Sequence, residues 1–506
     1  MTALLHDLLD ERAAQAPHAA ALSREGCTWS YGDLAARSRH VAGWLAEHGI
    51  GRGDRVVLVG GNEAELVALL FATSRIGAVF VLVSDQVSEF HLRHIFSDSG
   101  ARMMIANATA AKVAETIVGP AAFALAAPFA EPVDEPVDEI GGPAGISVDP
   151  VCFIYTSGST SLPKAVVCNH RQMRFAIAAI QSRLGYRADD IVFCCLPLSF
   201  DYGLYQVFLS TSTGARLVLG DDGDAGPALV GRLVAEGVTV LPIVPSLAVT
   251  LCRLVGRTGN VPARLRMVTN TGADLPPALC VRLREAVPGL KVYAMFGLTE
   301  CKRVSIAEPD LDRVRPGSVG RPLPDTEVSI VDEDGRPVKP GVEGELVVRG
   351  PHVMSGYWNA PELTARRFRL DEFGVPILHT GDRARLDEDG YLYFLGRDDD
   401  IYKQHGVRVS TAEVEAAALD IPNVEIAAAL PARDGREARI AACGNLTVAE
   451  FTEQLRRRLG PQKTPPQIRL VDRLPIGVNG KVDKKALAST WDAAARQGPE
   501  FDGVAV

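Results

Sequence analysis

Short apolar runs alternate with longer amphipathic segments over the first hundred or so residues of the chain. Three runs are almost wholly apolar, as strands buried on both faces of a sheet are: 55–59, 79–83 and 103–105. The segments around them repeat apolar residues at helical spacing, at 31–48, 64–75 and 91–99. This order predicts a parallel β-sheet with helices packed on its faces.

The alternation resumes in the middle of the chain and then changes character. Strands are expected at 151–155, 191–195, 238–241, 267–269 and 290–294, and helices at 171–185, 229–237 and 246–256. From 317 to 394, apolar and polar positions alternate between turns rich in Gly, Pro and Asp. That pattern predicts an antiparallel β-subdomain.

A compact tail follows Arg397, with its own order of strand, helix and strand. We therefore expect an α/β protein with two domains. Residues 1–397 form a large N-terminal domain of two α/β subdomains with a β-subdomain, and residues 398–506 form a small mobile C-terminal α+β domain. The segment 107–150, rich in Ala, Pro, Asp and Glu, is expected to be an exposed loop without a site.

Composition excludes several classes of protein. The chain has 506 residues, 47% of them hydrophobic, with a net charge of -9 and no long basic run, so nucleic acid and anionic membranes are not expected as partners. The nine cysteines are scattered and form no CxxC pair, which predicts reduced thiols in a cytoplasmic protein. No signal peptide is apparent, and Arg75 and Gly77 interrupt the most apolar window, 66–83.

A loop rich in hydroxyl groups follows the strand expected at 151–155. It consists of Thr156, Ser157, Gly158, Ser159, Thr160, Ser161, Leu162, Pro163 and Lys164. Glycine lets a backbone approach a ligand closely, hydroxyl and amide groups donate to phosphate oxygens, and lysine adds a positive charge. Clusters of this composition are also common in plain surface loops. By itself the segment leaves both interpretations open.

Three further segments carry groups that a nucleotide site needs, and each also has a plainer explanation. Glu300 follows an expected strand, where α/β sheets collect ligands, and its carboxylate suits magnesium; alternatively it is a solvated or capping residue. Asp382 lies in an expected turn and suits ribose hydroxyls, or it forms an Asx-turn. Lys481 ends a Gly-rich turn, which is otherwise a hairpin tip.

Together, in this order, these segments resemble the adenylate-forming superfamily of acyl-CoA synthetases, adenylation domains of nonribosomal peptide synthetases, and luciferases. The resemblance runs from about Thr28 to Leu487. The loop departs from the family pattern at Ser161 and Ala165, where glycine is common, so a stiffer loop is expected. No GxxxxGK[ST] motif and no GxGxxG after a strand occurs, which disfavours P-loop NTPases and Rossmann dehydrogenases.

The resemblance implies an ATP site and assigns residues to it. The β- and γ-phosphates are expected at Thr156, Ser157, Gly158, Ser159, Thr160 and Lys164. The residues expected around the adenine and the AMP are Gly272, Ala273, Asp274, Met295, Phe296 and Gly297. Asp382 and Arg397 are expected to hold the ribose, Thr299 to touch the α-phosphate region and Glu300 to bind Mg²⁺.

The resemblance also implies an AMP-forming acid–thiol ligase in which Lys481 is catalytic. Attack of a carboxylate on the α-phosphate pushes negative charges together, and a lysine between them neutralises the repulsion where it peaks. Magnesium helps pyrophosphate to leave. The tail is then expected to rotate about the hinge at Asp399, so that a thiol can attack the acyl-adenylate.

Asp201 indicates what kind of acid is activated. In adenylation domains of peptide synthetases, which the chain resembles here, the carboxylate after Phe200 faces the ammonium of the substrate. A buried carboxylate needs a cation or hydrogen bonds, and an amino acid supplies a cation. The alternative is that Asp201 caps a helix starting near Tyr202. We expect an amino acid, α or β, as the substrate.

The rest of the acid pocket follows from the same resemblance. Its expected members are Tyr202, Tyr205, Pro242, Thr269, Thr271, Met295, Arg303 and Val304. Arg303 either faces inward and binds a second acceptor on the substrate, or is a solvated surface residue.

The expected thiol acceptor is the phosphopantetheine of a separate carrier protein in natural-product biosynthesis, because no carrier segment follows Lys481. Gly406 is expected in the pantetheine tunnel. CoA carries the same arm, so the alternative is an acyl-CoA ligase for a small carboxylic acid. A non-catalytic homologue with a binding or scaffold role is a further alternative, against which Lys164, Glu300, Asp382 and Lys481 argue.

Overall fold

The computed structural model describes residues 4–130, 145–156, 162–221, 223–273, 275–397, 400–404, 407–433, 436–477 and 481–496. Over these residues the protein has the expected α/β fold. No described helix combines the length and the apolar character that crossing a membrane requires.

The first part of the chain builds most of a six-stranded sheet and the helices that cover it. Its elements are α1 (Asp7–Gln15), β1 (Ala20–Arg24), β2 (Cys27–Ser30), α2 (Tyr31–Glu47), β3 (Arg55–Val59), α3 (Ala64–Arg75), β4 (Val79–Val83), α4 (Glu89–Ser99), β5 (Met103–Ala106), α5 (Ala111–Val118) and β6 (Ala122–Ala124). β4 is apolar and buried at every position, as a central strand of a parallel sheet is. α2 begins at a capping box of Ser30 and Asp33, which contributes about 1 kcal/mol.

The expectation of a loop over 107–150 is wrong up to residue 130. α5 is a helix in this segment, and β6 pairs in parallel with β5 at the sheet edge. Ala110, Ala114, Val113 and Ile117 belong to one apolar cluster, so a short amphipathic face outweighs the loop-like composition. The acidic repeat at 132–139 lies outside the described residues.

The middle of the chain completes this sheet and builds a larger one. Its elements are β7 (Pro150–Thr156), β8 (Lys164–Asn169), α6 (His170–Leu184), β9 (Ile191–Cys194), α7 (Asp201–Thr213), β10 (Arg216–Leu219), α8 (Leu229–Glu236), β11 (Val240–Ile243), α9 (Pro245–Thr258), β12 (Met267–Asn270), α10 (Pro277–Ala286), β13 (Lys291–Phe296), β14 (Ser305–Ile306), α11 (Leu311–Val314) and β15 (Arg321–Pro322).

Two sheets position the chemistry-bearing loops. The six-stranded sheet has the order β6-β5-β3-β4-β7-β8, and the nine-stranded sheet has the order β15-β14-β13-β12-β11-β9-β10-β1-β2. β7 and β8 are antiparallel with Thr156 opposite Lys164, so the hydroxyl-rich loop connects the two strands of a hairpin. β11, β12 and β13 are parallel, and their carboxyl ends therefore meet at one edge.

The β-subdomain is antiparallel, as the alternating pattern predicted. Its elements are β16 (Glu327–Val331), β17 (Gly344–Arg349), α12 (Pro361–Arg367), β18 (Phe368–Leu370), β19 (Pro376–Leu386) and β20 (Leu392–Arg397). The turn expected around Asp382 is wrong, because this residue lies inside β19, next to Gly381 at φ 67°. Asp382 is directly opposite Arg397 of β20.

The tail has apolar clusters of its own. Its elements are β21 (Ile401–Gln404), β22 (Val407–Ser410), α13 (Thr411–Leu419), β23 (Val424–Leu430), β24 (Arg439–Gly444), α14 (Val448–Leu459), β25 (Gln467–Leu470) and α15 (Lys484–Arg496). Two apolar clusters consist only of residues after 400, one around Phe451 and one around Trp491. Burying a large apolar side chain contributes about 1.5–3 kcal/mol, which favours a tail with a core of its own. The boundary at 397/398 stays a prediction.

Candidate active site

Lys164 and Glu300 are brought together by Tyr357, a side chain that the sequence analysis did not select. Lys164 Nζ lies 4.0 Å from the centre of the Tyr357 ring. The Tyr357 hydroxyl donates a 2.6 Å hydrogen bond to Glu300 Oε1. Burial lowers the pKa of Lys164, and the Glu300 carboxylate opposes that shift. The lysine of the loop and the expected magnesium ligand therefore belong to one cluster.

Further donors and cations adjoin this cluster. Arg367 and Arg397 lie close enough to Lys164 to lower its pKa further. Thr156 Oγ1 is buried and has no hydrogen-bond partner among the described residues. A buried polar atom without a partner is uncommon in a native protein, and a phosphate oxygen would satisfy a hydroxyl there. The orphaned hydroxyl, the cations and the single carboxylate fit a nucleoside triphosphate with magnesium on Glu300.

Asp382 and Arg397, expected to hold the ribose, face each other across β19 and β20. Arg397 Nε is 3.4 Å from Asp382 Oδ1. The Asp382 side chain is buried, whereas 51% of the Arg397 side chain is exposed. Since the charge of Arg397 also acts on Lys164, the structure brings these two residues together beside the cluster of Lys164, Tyr357 and Glu300.

Lys481 comes from the tail and lies against the loop that follows β12. A Cβ built on Gly272 would lie 2.9 Å from Lys481 Cε, so any larger residue would require the end of the lysine side chain to move. Gly272 also has a φ of +87°, which favours glycine. Lys481 Nζ is 5.5 Å from the centre of the Phe200 ring, next to Asp201. The lysine therefore lies beside both the expected AMP slot and the expected acid pocket.

The backbone and charge of Lys481 agree with this location. Gly477 N donates to Lys481 O at 2.7 Å, and Ile476 and Val482 form an antiparallel bridge, so the described residues on the two sides of 478–480 pair with each other. Burial, followed by the charges of Arg303 and Arg397, lowers the pKa of Lys481 to about 8.

Asp201 does not cap its helix. The residue before it, Phe200, is the N-cap of α7, and no side-chain cap bond is present. Instead, Lys302 Nζ donates a 2.8 Å hydrogen bond to Asp201 Oδ1. Lys302 is fully buried, with a relative exposure of 0%. Burial alone would lower the pKa of Lys302, but the Asp201 carboxylate raises it above the ordinary value, so the lysine is charged.

Arg303 faces inward, which decides the alternative that the sequence left open. It is 5% exposed, and its Nη1 is 3.7 Å from Asp201 Oδ2 and donates a 2.7 Å bond to Lys302 O. Its Nε is buried and has no hydrogen-bond partner in the described part of the chain. Asp201, Lys302 and Arg303 together carry one negative and two positive charges.

The other expected pocket residues are buried, and the rings of Tyr202 and Tyr205 lie near Arg303 and Lys302. Tyr202 hydrogen-bonds to Thr269, at 2.5 Å to the backbone oxygen and 2.6 Å to the hydroxyl. The ring centre of Tyr205 is 5.6 Å from Lys302 Nζ, and its hydroxyl is buried without a partner among the described residues. The structure also buries four further expected members of the pocket: Pro242, Thr271, Met295 and Val304.

The turn after β13 connects the two halves of the site. Phe296 stacks at a tilt on Phe394 of the β-subdomain, with ring centres 5.0 Å apart. A Cβ on Gly297 would lie 2.0 Å from Lys302 O, so the turn from Thr299 to Lys302 folds back onto this glycine. One short turn thus carries both Glu300, whose side chain meets Tyr357, and Arg303, whose side chain lies beside Asp201.

Several expected residues lie outside the described part of the chain. These are Ser157, Gly158, Ser159, Thr160, Ser161, Asp274, Asp399 and Gly406. Ala165, where the family commonly has glycine, lies in β8 and is fully buried.

Sequence reasoning missed Lys302, Tyr357 and Arg367. Lys302 stands next to Arg303, in a turn already selected for Glu300, so its charge was a signal that went unused. Tyr357 and Arg367 precede the strand of Asp382 and lie far from Lys164 in sequence. Tyr357 and Arg367 come close to Lys164 and Glu300 only through contacts between segments that are distant in sequence.

Comparison with known proteins gives a family match over most of the chain. A family model described as "AMP-binding enzyme" matches residues 9–358. A feruloyl-CoA synthase of Amycolatopsis sp. is 31% identical over 490 residues, which cover 94% of this chain and 96% of that protein. The probable non-canonical nonribosomal peptide synthetase CymA of Salinispora arenicola is 31% identical over 496 residues, or 95% of this chain, but this match spans only 6% of CymA.

Solved structures agree with the family match. A complex of VinN with L-aspartate is 41% identical, with a TM-score of 0.70 over 78% of this chain and 99% of that one. The o-succinylbenzoate CoA synthetase MenE of Bacillus subtilis, in complex with ATP and magnesium, is 28% identical, with a TM-score of 0.83 over 95% of this chain and 99% of that one.

Proposed function

The chain belongs to the AMP-binding family of adenylate-forming enzymes and is an AMP-forming ligase, and we propose that its acid is a small amino acid with a second carboxylate. The activated acyl group would pass to the phosphopantetheine thiol of a separate carrier protein in natural-product biosynthesis. None of the nine cysteines, all of which the structure describes, forms a disulfide, which is consistent with the cytoplasm as the place of this reaction.

The buried Arg303 carries the proposal. An arginine that is 5% exposed costs free energy unless an anion accompanies it, and Asp201 is already bound to Lys302. The pocket therefore has one positive charge in excess. A guanidinium is suited to binding a carboxylate in the plane of its fork, and the complex of VinN with L-aspartate supports such a ligand.

Asp201 supplies the recognition of the amino group. Its Oδ1 accepts a hydrogen bond from Lys302. Its Oδ2 lies 3.7 Å from Arg303 Nη1, which is too far for a good hydrogen bond. An ammonium on the substrate would bind Oδ2. An aspartate-like acid thus offers one cation to Asp201, one carboxylate to Arg303 and one carboxylate for activation.

The reaction joins the substrate carboxylate to the α-phosphate. A carboxylate oxygen attacks the α-phosphorus, the bond from that phosphorus to the bridging oxygen breaks, and pyrophosphate leaves with the electron pair. Lys481 has a pKa of about 8, so it is charged at lower pH and offsets the repulsion between the two anions. Lys164 and Thr156 would hold the phosphates, and Glu300 would hold a magnesium ion that neutralises charge on the leaving pyrophosphate.

The second half-reaction releases AMP. A thiol sulfur attacks the acyl carbon, the bond to the AMP oxygen breaks, and the thiol proton passes to solvent. Rotation of the tail about Asp399, with the pantetheine arm passing Gly406, would remove Lys481 and admit the thiol.

A CoA ligase for a small acid without an amino group is the second candidate. One observation favours it: Lys302 already supplies the cation that Asp201 needs. The match over 96% of the length of a feruloyl-CoA synthase points the same way.

The two candidates differ in substrate and in acceptor. ATP–pyrophosphate exchange with L-aspartate and with succinate, its desamino analogue, compares the acids. The proposal expects aspartate to exceed succinate by roughly 10–100-fold in kcat/KM, the effect of one hydrogen bond to a charged group. Asp201→Ala should remove the difference. Equal rates in the unmodified enzyme, with thioester formed on CoA, would favour the second candidate.

A further inference from the structure

Tyr357 touches both charged groups at the phosphate end of the site. Its hydroxyl is 2.6 Å from Glu300 Oε1, and the face of its ring is 4.0 Å from Lys164 Nζ. The Tyr357 hydroxyl is the donor of this hydrogen bond, and the Glu300 carboxylate is the acceptor. One oxygen of Glu300 is thereby held, and the other stays available to a metal ion.

The backbone fixes Tyr357 relative to both partners. The segment from Met354 to Trp358 runs beside β8, the strand that begins at Lys164: Ser355 N donates to Val167 O at 3.0 Å and Trp358 N to Ala165 O at 2.9 Å. Met354 N donates to the backbone oxygen of Glu300 at 2.9 Å. One short segment is therefore bonded to the strand of the lysine and to the residue of the carboxylate.

Packing prevents Tyr357 from moving away. Its ring meets Phe368 edge to face, with centres 5.4 Å apart. The next residue, Trp358, donates from its indole nitrogen to Asp98 O at 2.9 Å and stacks on Phe153. Tyr357 itself is 6% exposed, so its hydroxyl and ring are directed by a rigid environment.

We propose that Tyr357 is a positioning residue that orients the Glu300 carboxylate for magnesium and holds Lys164 for the phosphates. The inference rests on the proposed roles of those two residues. A hydrogen bond to a metal-binding carboxylate fixes its rotamer, and loss of such a partner costs about 10–100-fold in metal affinity or activity. A cation over an aromatic face is attracted to the ring, so the lysine stays in place when the nucleotide is absent.

Tyr357→Phe tests the hydroxyl alone, because the ring and its packing are kept. Calorimetric titration with α,β-methylene ATP, which cannot be cleaved at that bond, is repeated at increasing Mg²⁺ concentrations. We expect the half-saturating Mg²⁺ concentration to rise about 10-fold, with nucleotide affinity regained at saturating Mg²⁺. An unchanged Mg²⁺ dependence overturns the role of the hydroxyl.

Tyr357→Leu tests the ring. The change to leucine removes the aromatic face under Lys164 as well as the hydroxyl. Nucleotide affinity in the absence of Mg²⁺ should therefore fall in Tyr357→Leu. In Tyr357→Phe, which keeps the ring, that affinity should equal the affinity of the unmodified enzyme. Equal affinities of the two variants without Mg²⁺ would overturn the contact with Lys164. Each variant is therefore informative by itself.

Two further variants separate this inference from a structural effect and from the proposed site. Tyr393→Phe loses a similar tyrosine–carboxylate bond, to Asp387 at 3.2 Å, and should leave the Mg²⁺ dependence unchanged. Glu300→Gln should raise the half-saturating Mg²⁺ concentration strongly. If Glu300→Gln has no effect, the magnesium role of Glu300 fails; if it shifts the dependence and Tyr357→Phe does not, only the positioning role fails.

Discussion

Lys302 Nζ and Asp201 Oδ1 form a 2.8 Å ion pair where the acid pocket is proposed, and both side chains are buried. Lys302 has a φ of +62°, a left-handed conformation that costs a non-glycine residue free energy. The turn tolerates this cost while the lysine side chain reaches Asp201 and its carbonyl accepts from Arg303. The pair thus ties the residue that would bind an ammonium to the one that would bind a carboxylate.

Lys302→Met should destabilise the protein strongly. It keeps a long unbranched side chain but deprives the buried Asp201 of its hydrogen-bonded cation, and Arg303 at 3.7 Å is too far to replace that bond; breaking such a buried pair costs about 3–5 kcal/mol. The double variant Asp201→Leu with Lys302→Met removes both charges and should regain most of the free energy of unfolding. Urea unfolding measures both. If the double variant loses as much as the two single variants added together, the pair is not coupled as described.

Arg303→Gln should weaken binding of an acid with a second carboxylate. The variant keeps a polar side chain but loses the charge, so KM for L-aspartate should rise roughly 10–100-fold in pyrophosphate exchange. KM for ATP should stay within about twofold, since the Arg303 charge is proposed to act on the acid. Arg336→Gln, at an exposed arginine, is the matched control and should change neither constant. A rise confined to KM for ATP would contradict the role in acid binding.

Gly272→Ala should hinder adenylation by displacing Lys481. The added methyl would lie 2.9 Å from Lys481 Cε, and misplacing a catalytic group by about 1 Å costs roughly 10²-fold in rate. Gly335→Ala is matched in backbone strain, at φ +78°, but has open space around the new methyl. Comparable exchange rates for the two variants would show that strain, and not the approach to Lys481, is responsible.

The pH dependence of adenylation should report the charge on Lys481. Because burial lowers its pKa to about 8, the lysine loses its proton as the pH rises through that value, and kcat/KM measured with both substrates far below KM should fall there. Lys481→Arg stays charged, so its activity, although lower, should not fall in that range. A falling limb shared by both enzymes would assign the titration to another group.

Lys481→Ala should separate the two half-reactions. Adenylation should fall by about 10²-fold or more, the effect of removing one charge that stabilises the transition state. Thioester formation from a preformed adenylate should be spared, because the thiol is expected to enter after the lysine has left. Unchanged ATP–pyrophosphate exchange in this variant would contradict the catalytic role.

The sequence predicted the parallel sheets, and it selected several residues that the structure brings together; their roles stay predictions. Buried strands such as Val79–Val83 are continuous apolar runs, and local chemistry selected Lys164, Glu300 and Lys481. The sequence did not predict contacts that depend on pairing between distant segments. Asp201 suggested an ammonium on the substrate, yet its first partner is Lys302, 101 residues away. Tyr357 meets Glu300 because the segment of Tyr357 runs beside β8. No local pattern of residues predicts that pairing.

ATP–pyrophosphate exchange across four acids tests the central claim most directly. L-aspartate carries an amino group and two carboxylates, succinate lacks the amino group, L-alanine lacks the second carboxylate, and ferulate lacks both. A pocket that uses Asp201 and Arg303 as described should turn over L-aspartate with the highest kcat/KM, and each single omission should cost roughly 10–100-fold. Ferulate or L-alanine equalling or exceeding L-aspartate would contradict the claim that the buried charges of this pocket select an amino acid with a second carboxylate.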